Sequence, residues 1–165
     1  LLLRWFQYGA FCPIFRLHGY RKVETDEMLL GSGASNEVWS FGDEAYGILK
    51  EYLEMRERFR PYIFELFKRC SEQAEPIMRP LLYDFPEDKT VWEIEDQYMF
   101  GSDYMVAPIL NYGERQRKIY LPVGVTWIDM WSGKEYAGGS LIEIEAPLTQ
   151  IPLFMRQGCK NLVKG

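Results

Sequence analysis

At 165 residues the chain has room for one ordinary domain, or for the end of one domain joined to a whole small one. Its composition is globular, 47% hydrophobic and 16% aromatic, and 19 basic against 24 acidic residues leave a net charge of -5, which offers no electrostatic footprint for a nucleic-acid backbone. There is no run of about eighteen apolar residues and no basic-then-apolar leader with a small-residue cleavage site, so neither a membrane span nor a signal peptide is predicted. The chain opens Leu1-Leu2-Leu3-Arg4 without Met, inside a helical pattern, so any leader is expected to lie upstream.

The first predicted element is a helix over Leu1 to Phe11, where Leu1, Trp5 and Tyr8 recur at helical intervals and Gly9 and then Pro13 mark the stop. Ile14 to Leu17 is too short for a helix and reads as a strand. It runs into His18, the only histidine in the chain. From Gly19 to Gly42 the period is lost, and charges, glycines and small polar residues predict a long loop of the kind that is functional or disordered. Within it, Gly31-Ser32-Gly33-Ala34 follows no strand and opens no helix, so it reads as a flexible loop and not as a phosphate cradle.

From Asp43 to about Ser71 the helical signal is strongest, with Leu49, Tyr52, Leu53, Phe59, Tyr62, Ile63, Leu66, Phe67 and Cys70 on one stripe that reads as core. Asp43 is the expected N-cap, and Glu54 and Arg58 form an i, i+4 pair in the favourable orientation. Pro61 removes one backbone hydrogen bond and predicts a kink or a second helix start.

After Pro76 the period becomes two. Arg117 to Leu121, Val125 to Trp131, Leu141 to Glu145 and Ile151 to Arg156 read as strands separated by Pro122-Val123-Gly124, Ser132-Gly133 and Gly138-Gly139. Glu143 and Glu145 fall on one face and Ile142 and Ile144 on the other, which is the pattern of a half-buried strand. The expected fold class is therefore α+β, with an antiparallel β-sandwich after a boundary near Glu75.

Few residues carry chemistry. Cys12, Cys70 and Cys159 are odd in number and widely spaced, which fits neither a disulfide framework nor a metal site, and Cys12 reads as a small buried hydrophobe. Asp84 with Asp88, or Glu93 with Glu95, would be the acid/base pairs to consider. The first pair lies in a turn and the second on a solvent face beside Ile94, so no catalytic pair is predicted. Trp127, Asp129 and Trp131 share a strand, where core packing is expected over sugar stacking. Gly-x-Ser-x-Gly, a glycine loop followed by Lys, and a histidine pair are all missing, so no cofactor and no metal are implied.

Several strings in order carry a resemblance: Arg4-Trp5-Phe6-Gln7-Tyr8-Gly9-Ala10-Phe11, Phe15-Arg16-Leu17-His18-Gly19, Trp39-Ser40-Phe41-Gly42, Arg60-Pro61-Tyr62 and Pro76-Ile77-Met78-Arg79-Pro80-Leu81. They continue with Asp96-Gln97-Tyr98-Met99-Phe100-Gly101, Val106-Ala107-Pro108, Tyr120-Leu121-Pro122 and Ile151-Pro152-Leu153-Phe154-Met155-Arg156. Over nearly its whole length the chain resembles the C-terminal part of glycoside hydrolase family 31.

The resemblance implies that residues 1–75 are the last α/β units of a (β/α)8, or TIM, barrel, with the eighth strand at Ile14 to Leu17 and the eighth helix from Asp43. Residues 76–165 would be the proximal β-sandwich that follows. Active sites of such barrels lie at the C-terminal strand ends, where His18 stands. It would hydrogen-bond a sugar hydroxyl in the subsite holding the ring being cleaved, a task suited to imidazole, with one donor and one acceptor. Arg16, pointing away from Leu17, and Trp39, in the loop beside the sugar, are further substrate-binding candidates. Val38-Trp39-Ser40 stands where many members have Pro-Trp-Glu.

Family members are retaining α-glycosidases, whose mechanism needs two carboxyl groups about 5 to 5.5 Å apart. Both are aspartates on earlier barrel strands, which would precede Leu1, so the isolated chain is expected to be inactive. The expected substrate is a carbohydrate with terminal α-linked xylose or glucose, and Leu17-His18-Gly19 leans toward the α-xylosidase branch. Gly158-Cys159-Lys160-Asn161-Leu162 replaces the apolar strand usual there, which suggests a truncated or mis-spliced frame or an excised fragment. The alternatives are a non-enzymatic sandwich that binds carbohydrate or a partner, and a remnant that self-associates because its helices have no sheet to cover.

Overall fold

The computed structural model describes residues 1–22 and 33–163; Gly31 and Ser32 of the glycine loop lie outside them. Helix α1 (Leu2–Ala10) ends where predicted, the amide of Phe11 bonding the Tyr8 carbonyl at 3.0 Å. A four-residue 3-10 turn, Val38–Phe41, precedes α2 (Asp43–Gln73). The N-cap of α2 is Gly42, at φ 86, and not Asp43 as expected. Asp43 and Glu44 occupy the first turn, where their charge meets the positive end of the helix dipole.

Pro61 neither breaks α2 nor starts a second helix. Phe59, Ile63 and Leu66, buried on both sides of it, hold both halves against one sheet, and the proline itself is exposed. The Glu54 to Arg58 pair is also replaced. Glu54 lies 3.7 Å from Lys50, while Arg58 donates to the Leu162 and Val163 carbonyls at 3.0 and 2.7 Å and pins the end of the chain to the helix.

The strands are β1 (Met78–Pro80), β2 (Tyr98–Phe100), β3 (Tyr104–Val106), β4 (Gln116–Leu121), β5 (Thr126–Asp129), β6 (Glu135–Ala137), β7 (Ser140–Glu145) and β8 (Leu153–Arg156), with the short α3 (Leu81–Asp84) after β1. All pairs are antiparallel. Six form a sheet in the order β1-β2-β3-β8-β5-β6, and β4 pairs β7 in register from Gln116 opposite Glu145 to Leu121 opposite Ser140.

The larger sheet is covered on both faces, which produces three layers. Met99, Met105, Trp127 and Phe154 point to the β4–β7 ribbon and pack with Ile119, Leu121, Ile142 and Ile144. Their neighbours along the strands, Phe100, Tyr104, Val106, Leu153 and Met155, point the other way and pack with Phe6, Tyr52, Phe59, Ile63 and Leu66 of the two helices. The helices therefore do have a sheet to cover, contrary to the expectation behind the self-associating remnant. Trp127 and Asp129 are buried, and the tryptophan packs in the core as predicted.

Helices and sheet are also joined by polar contacts to one loop, between β7 and β8. Arg4 donates to the carbonyls of Ala146, Pro147 and Gln150 at 2.6, 3.1 and 2.8 Å, and Gln7 donates to Leu148 at 2.7 Å. The Tyr52 hydroxyl donates to Thr149 at 3.2 Å and accepts from the Ile151 amide at 3.0 Å.

The predicted strand at Ile14 to Leu17 does not form. A strand exists by pairing, and among the described residues no strand lies beside this segment.

Candidate functional site around His18

The chain leaves α1 toward His18 under tight local control. The Arg56 guanidinium, from α2, donates to the carbonyls of Ala10 at 2.7 Å and Pro13 at 2.9 Å. The Tyr98 hydroxyl, from β2, donates to the Phe11 carbonyl at 3.2 Å. Burial lowers the Arg56 pKa and raises that of Tyr98, and both side chains keep their protons at neutral pH. Phe15 packs edge-on against Phe6, with ring centres 4.7 Å apart, in a notch that exists because residue 9 is glycine. A Cβ there would come within 3.0 Å of the Phe15 ring.

Beyond Phe15 the side chains turn outward. Arg16, Leu17 and His18 are all exposed. The backbone after His18 is tied to the segment that follows the glycine loop. Asn36 donates to the Gly19 carbonyl at 2.9 Å, the Ala34 amide bonds Arg21 at 2.8 Å, and the Arg21 guanidinium lies 4.8 Å from the Phe41 ring centre. Trp39 stands on that tied segment, in the 3-10 turn, 67% exposed, while its neighbour Val38 is buried. The structure thus brings the two segments bearing His18 and Trp39 together.

Sequence reasoning missed Arg56, Tyr98 and Asn36. Each reaches a backbone carbonyl far away in the chain, and no spacing or composition marks such a contact.

The acidic residues are committed elsewhere or scattered. Asp84 faces Arg79 at 3.2 Å and Arg156 at 3.6 Å; its burial pushes its pKa up, against the pull of those arginines. Asp88 is buried and accepts from the Thr90 amide, the Tyr120 hydroxyl and the Val123 amide at 3.1, 2.9 and 3.1 Å. Both oxygens of Asp88 are taken, and Asp84 is ion-paired through Oδ1 while its Oδ2 is buried without a hydrogen-bond partner. Among the described residues no group of His, Cys, Asp or Glu is placed to hold a metal ion. Cys12, Cys70 and Cys159 are free, and burial raises the pKa of Cys12.

A separate cleft of about 430 Å³ opens on the sandwich, where the β5–β6 hairpin meets β7. Trp131, Lys134, Tyr136, Glu143, Glu145 and Gln150 line it, with the Lys134 ammonium 4.7 Å from the Tyr136 ring centre.

Comparison with known proteins places the chain in a family. Residues 1–66 match the profile described as "Glycosyl hydrolases family 31 TIM-barrel domain", and residues 74–159 that of the "Glycosyl hydrolase family 31 C-terminal domain". Alpha-glucosidase 2 of Bacillus thermoamyloliquefaciens is 34% identical over 96% of this chain and 19% of its own length. An alpha-xylosidase of Saccharolobus solfataricus is 33% identical over 96% of this chain and 20% of its own. The chain therefore spans about a fifth of the length of these relatives. Among solved structures, a GH31 alpha-xylosidase from a soil metagenome, complexed with xylose, superposes with a TM-score of 0.89 and 46% identity over 96% of this chain and 25% of that one. A xylosidase from Aspergillus niger superposes with a TM-score of 0.87 and 29% identity over 99% and 24% of the two chains.

Proposed function

The chain belongs to glycoside hydrolase family 31, and we propose on that footing that it forms the barrel end, residues 1–75, and the proximal sandwich, residues 76–165, of a retaining α-glycosidase acting on terminal α-linked xylose or glucose. His18 hydrogen-bonds a hydroxyl of the bound sugar; Arg16 and Trp39 flank it. The observation that carries this is the exposed imidazole at the end of an anchored segment, in the part of the chain that matches the family's barrel. Xylose is favoured over glucose by Leu17-His18-Gly19 and by the 46% identity to an alpha-xylosidase complexed with xylose.

The retaining mechanism needs two nearby carboxyl groups, and Asp84 and Asp88 are held in other contacts. The catalytic pair is assigned to upstream barrel strands, as the family resemblance implies, and the isolated chain is predicted to be inactive. The test compares it with a complete glycosidase that carries residues 1–165, on 4-nitrophenyl α-xyloside and α-glucoside. The complete enzyme should turn over the xyloside faster and the isolated chain neither. Turnover by the isolated chain would place a catalytic pair within it, and a faster glucoside reaction would reverse the sugar preference.

The cleft beside Trp131 and Tyr136 favours a second function, sugar binding by the sandwich itself, since aromatic rings beside the polar side chains of Lys134, Glu143, Glu145 and Gln150 suit a polyol. Calorimetric titration of the chain with xylose and glucose tests it: heat that disappears in Trp131→Ala supports it, and no heat removes it.

A further inference from the structure

Arg56 is half-buried, and its terminal nitrogens meet no carboxylate; among the described residues it forms no ion pair. Desolvating a cation to hydrogen-bond two neutral carbonyls is costly unless those carbonyls need a partner. Ala10 is the last residue of α1, so its carbonyl is one of the helix-end acceptors left without an intrahelical donor. The Pro13 carbonyl lies past the end. The planar guanidinium bridges the two, as a fork of fixed geometry does and a point charge does not. It also lies 6.0 Å from the Phe15 ring centre and 5.9 Å from that of Phe100, between the segment and the sheet.

The chain direction is thus set at Ala10, Phe11, Pro13 and Phe15, and His18 follows three residues later. Pro13 lies five residues before His18, a span of up to about 17 Å, so a small change of angle there moves the imidazole by ångströms. A misplacement of about 1 Å at a reacting sugar costs as much as a hundredfold in rate.

We propose that Arg56 is the positioning residue for His18, its bridge across the end of α1 fixing where the imidazole stands at the barrel rim. The proposal rests on the reading of His18 as a sugar contact. Arg56 is assigned no contact with substrate and acts through the Ala10 and Pro13 carbonyls and its place against the Phe15 ring.

A double-mutant cycle tests it, in a complete glycosidase carrying residues 1–165, read as kcat/KM on an α-xyloside. Arg56→Met keeps the stem and removes the donors; it should lower kcat/KM at least tenfold. In the His18→Ala background the same change should add less than about twofold, because both act through one contact. Arg56→Lys should recover part of the loss, having donors without the fork. Effects that multiply, or an Arg56→Met enzyme within twofold of wild type, would overturn the proposal.

If His18→Ala alone leaves kcat/KM within twofold, the sugar reading fails, and the isolated chain then decides the placement separately. There, backbone order parameters from Phe15 to His18 should fall in Arg56→Met to below about 0.6, the flexible range, with sandwich residues unchanged. Unchanged order at Phe15 to His18 would remove Arg56 from that role. Should the Met variant fail to fold, Arg56→Lys is read in the same two assays, with a smaller change in the same direction expected and no change overturning the proposal.

Discussion

Tyr52 shows how much one hydroxyl holds in this molecule. Burial drives its pKa up, so it is a neutral donor to Thr149 and acceptor from Ile151 at any physiological pH. Tyr52→Phe leaves the buried Ile151 amide unpartnered and should destabilise the chain by about 1–3 kcal/mol, measured by urea unfolding. Asp88 gives a pH-dependent counterpart. Desolvation alone would raise its pKa, but the donors Val123, Tyr120 and Thr90 together outweigh it and hold the value below 3.8. A carboxyl depressed on folding stabilises the native state above its unfolded pKa, and that stability is lost as pH falls through the folded value. Asp88→Asn should therefore be less stable than wild type at pH 7. The difference should shrink progressively as pH falls from about 4; a difference independent of pH would show that ionisation plays no part.

At the scale of elements, α2 ends on Ala74 at φ 57, a left-handed conformation that favours glycine. Ala74→Gly should raise stability by about 0.5–1 kcal/mol, seen as a higher Tm. The β6–β7 turn is the opposite case. A Cβ on Gly138 would stand 2.2 Å from the Pro122 carbonyl oxygen and 2.7 Å from that of Val125. Gly138→Ala should cost about 1–3 kcal/mol and loosen the turn whose Gly139 amide bonds the Leu121 carbonyl at the end of β4. What was legible in the sequence follows from the same physics. Both long helices, β4 and β7 announced themselves because one side meets solvent and the period shows. β2 and β3 did not, since Tyr98, Met99 and Phe100 are packed on alternate faces by helices and ribbon, leaving no polar alternation to read. Ile14 to Leu17 erred the other way, an apolar run whose pairing partners the described residues do not supply. His18 stood out as a candidate because it is the sole histidine and lies in a motif, whereas Arg56 and Tyr98, which hold its segment, act through backbone carbonyls and left no mark.

For the whole molecule, the two helices are clamped to the sandwich by Arg4, Gln7, Tyr52 and Arg58. That arrangement leaves Leu1, Trp5, Ile14 and Leu17 exposed at 89, 64, 74 and 44% on α1 and the segment after it. Apolar residues so presented favour self-association of the isolated chain, and sedimentation should show a concentration-dependent species that Trp5→Ser with Ile14→Ser reduces; a monomer at all concentrations would remove this expectation. On the proposed reading, the same segment of a complete glycosidase carries His18 to the sugar. The most direct measurement is kcat/KM on an α-xyloside for a complete glycosidase carrying this chain, wild type against His18→Ala. A fall of at least tenfold, about 1.4 kcal/mol of transition-state stabilisation, is predicted. A change of less than twofold, about 0.4 kcal/mol, would contradict the assignment of His18 to the substrate.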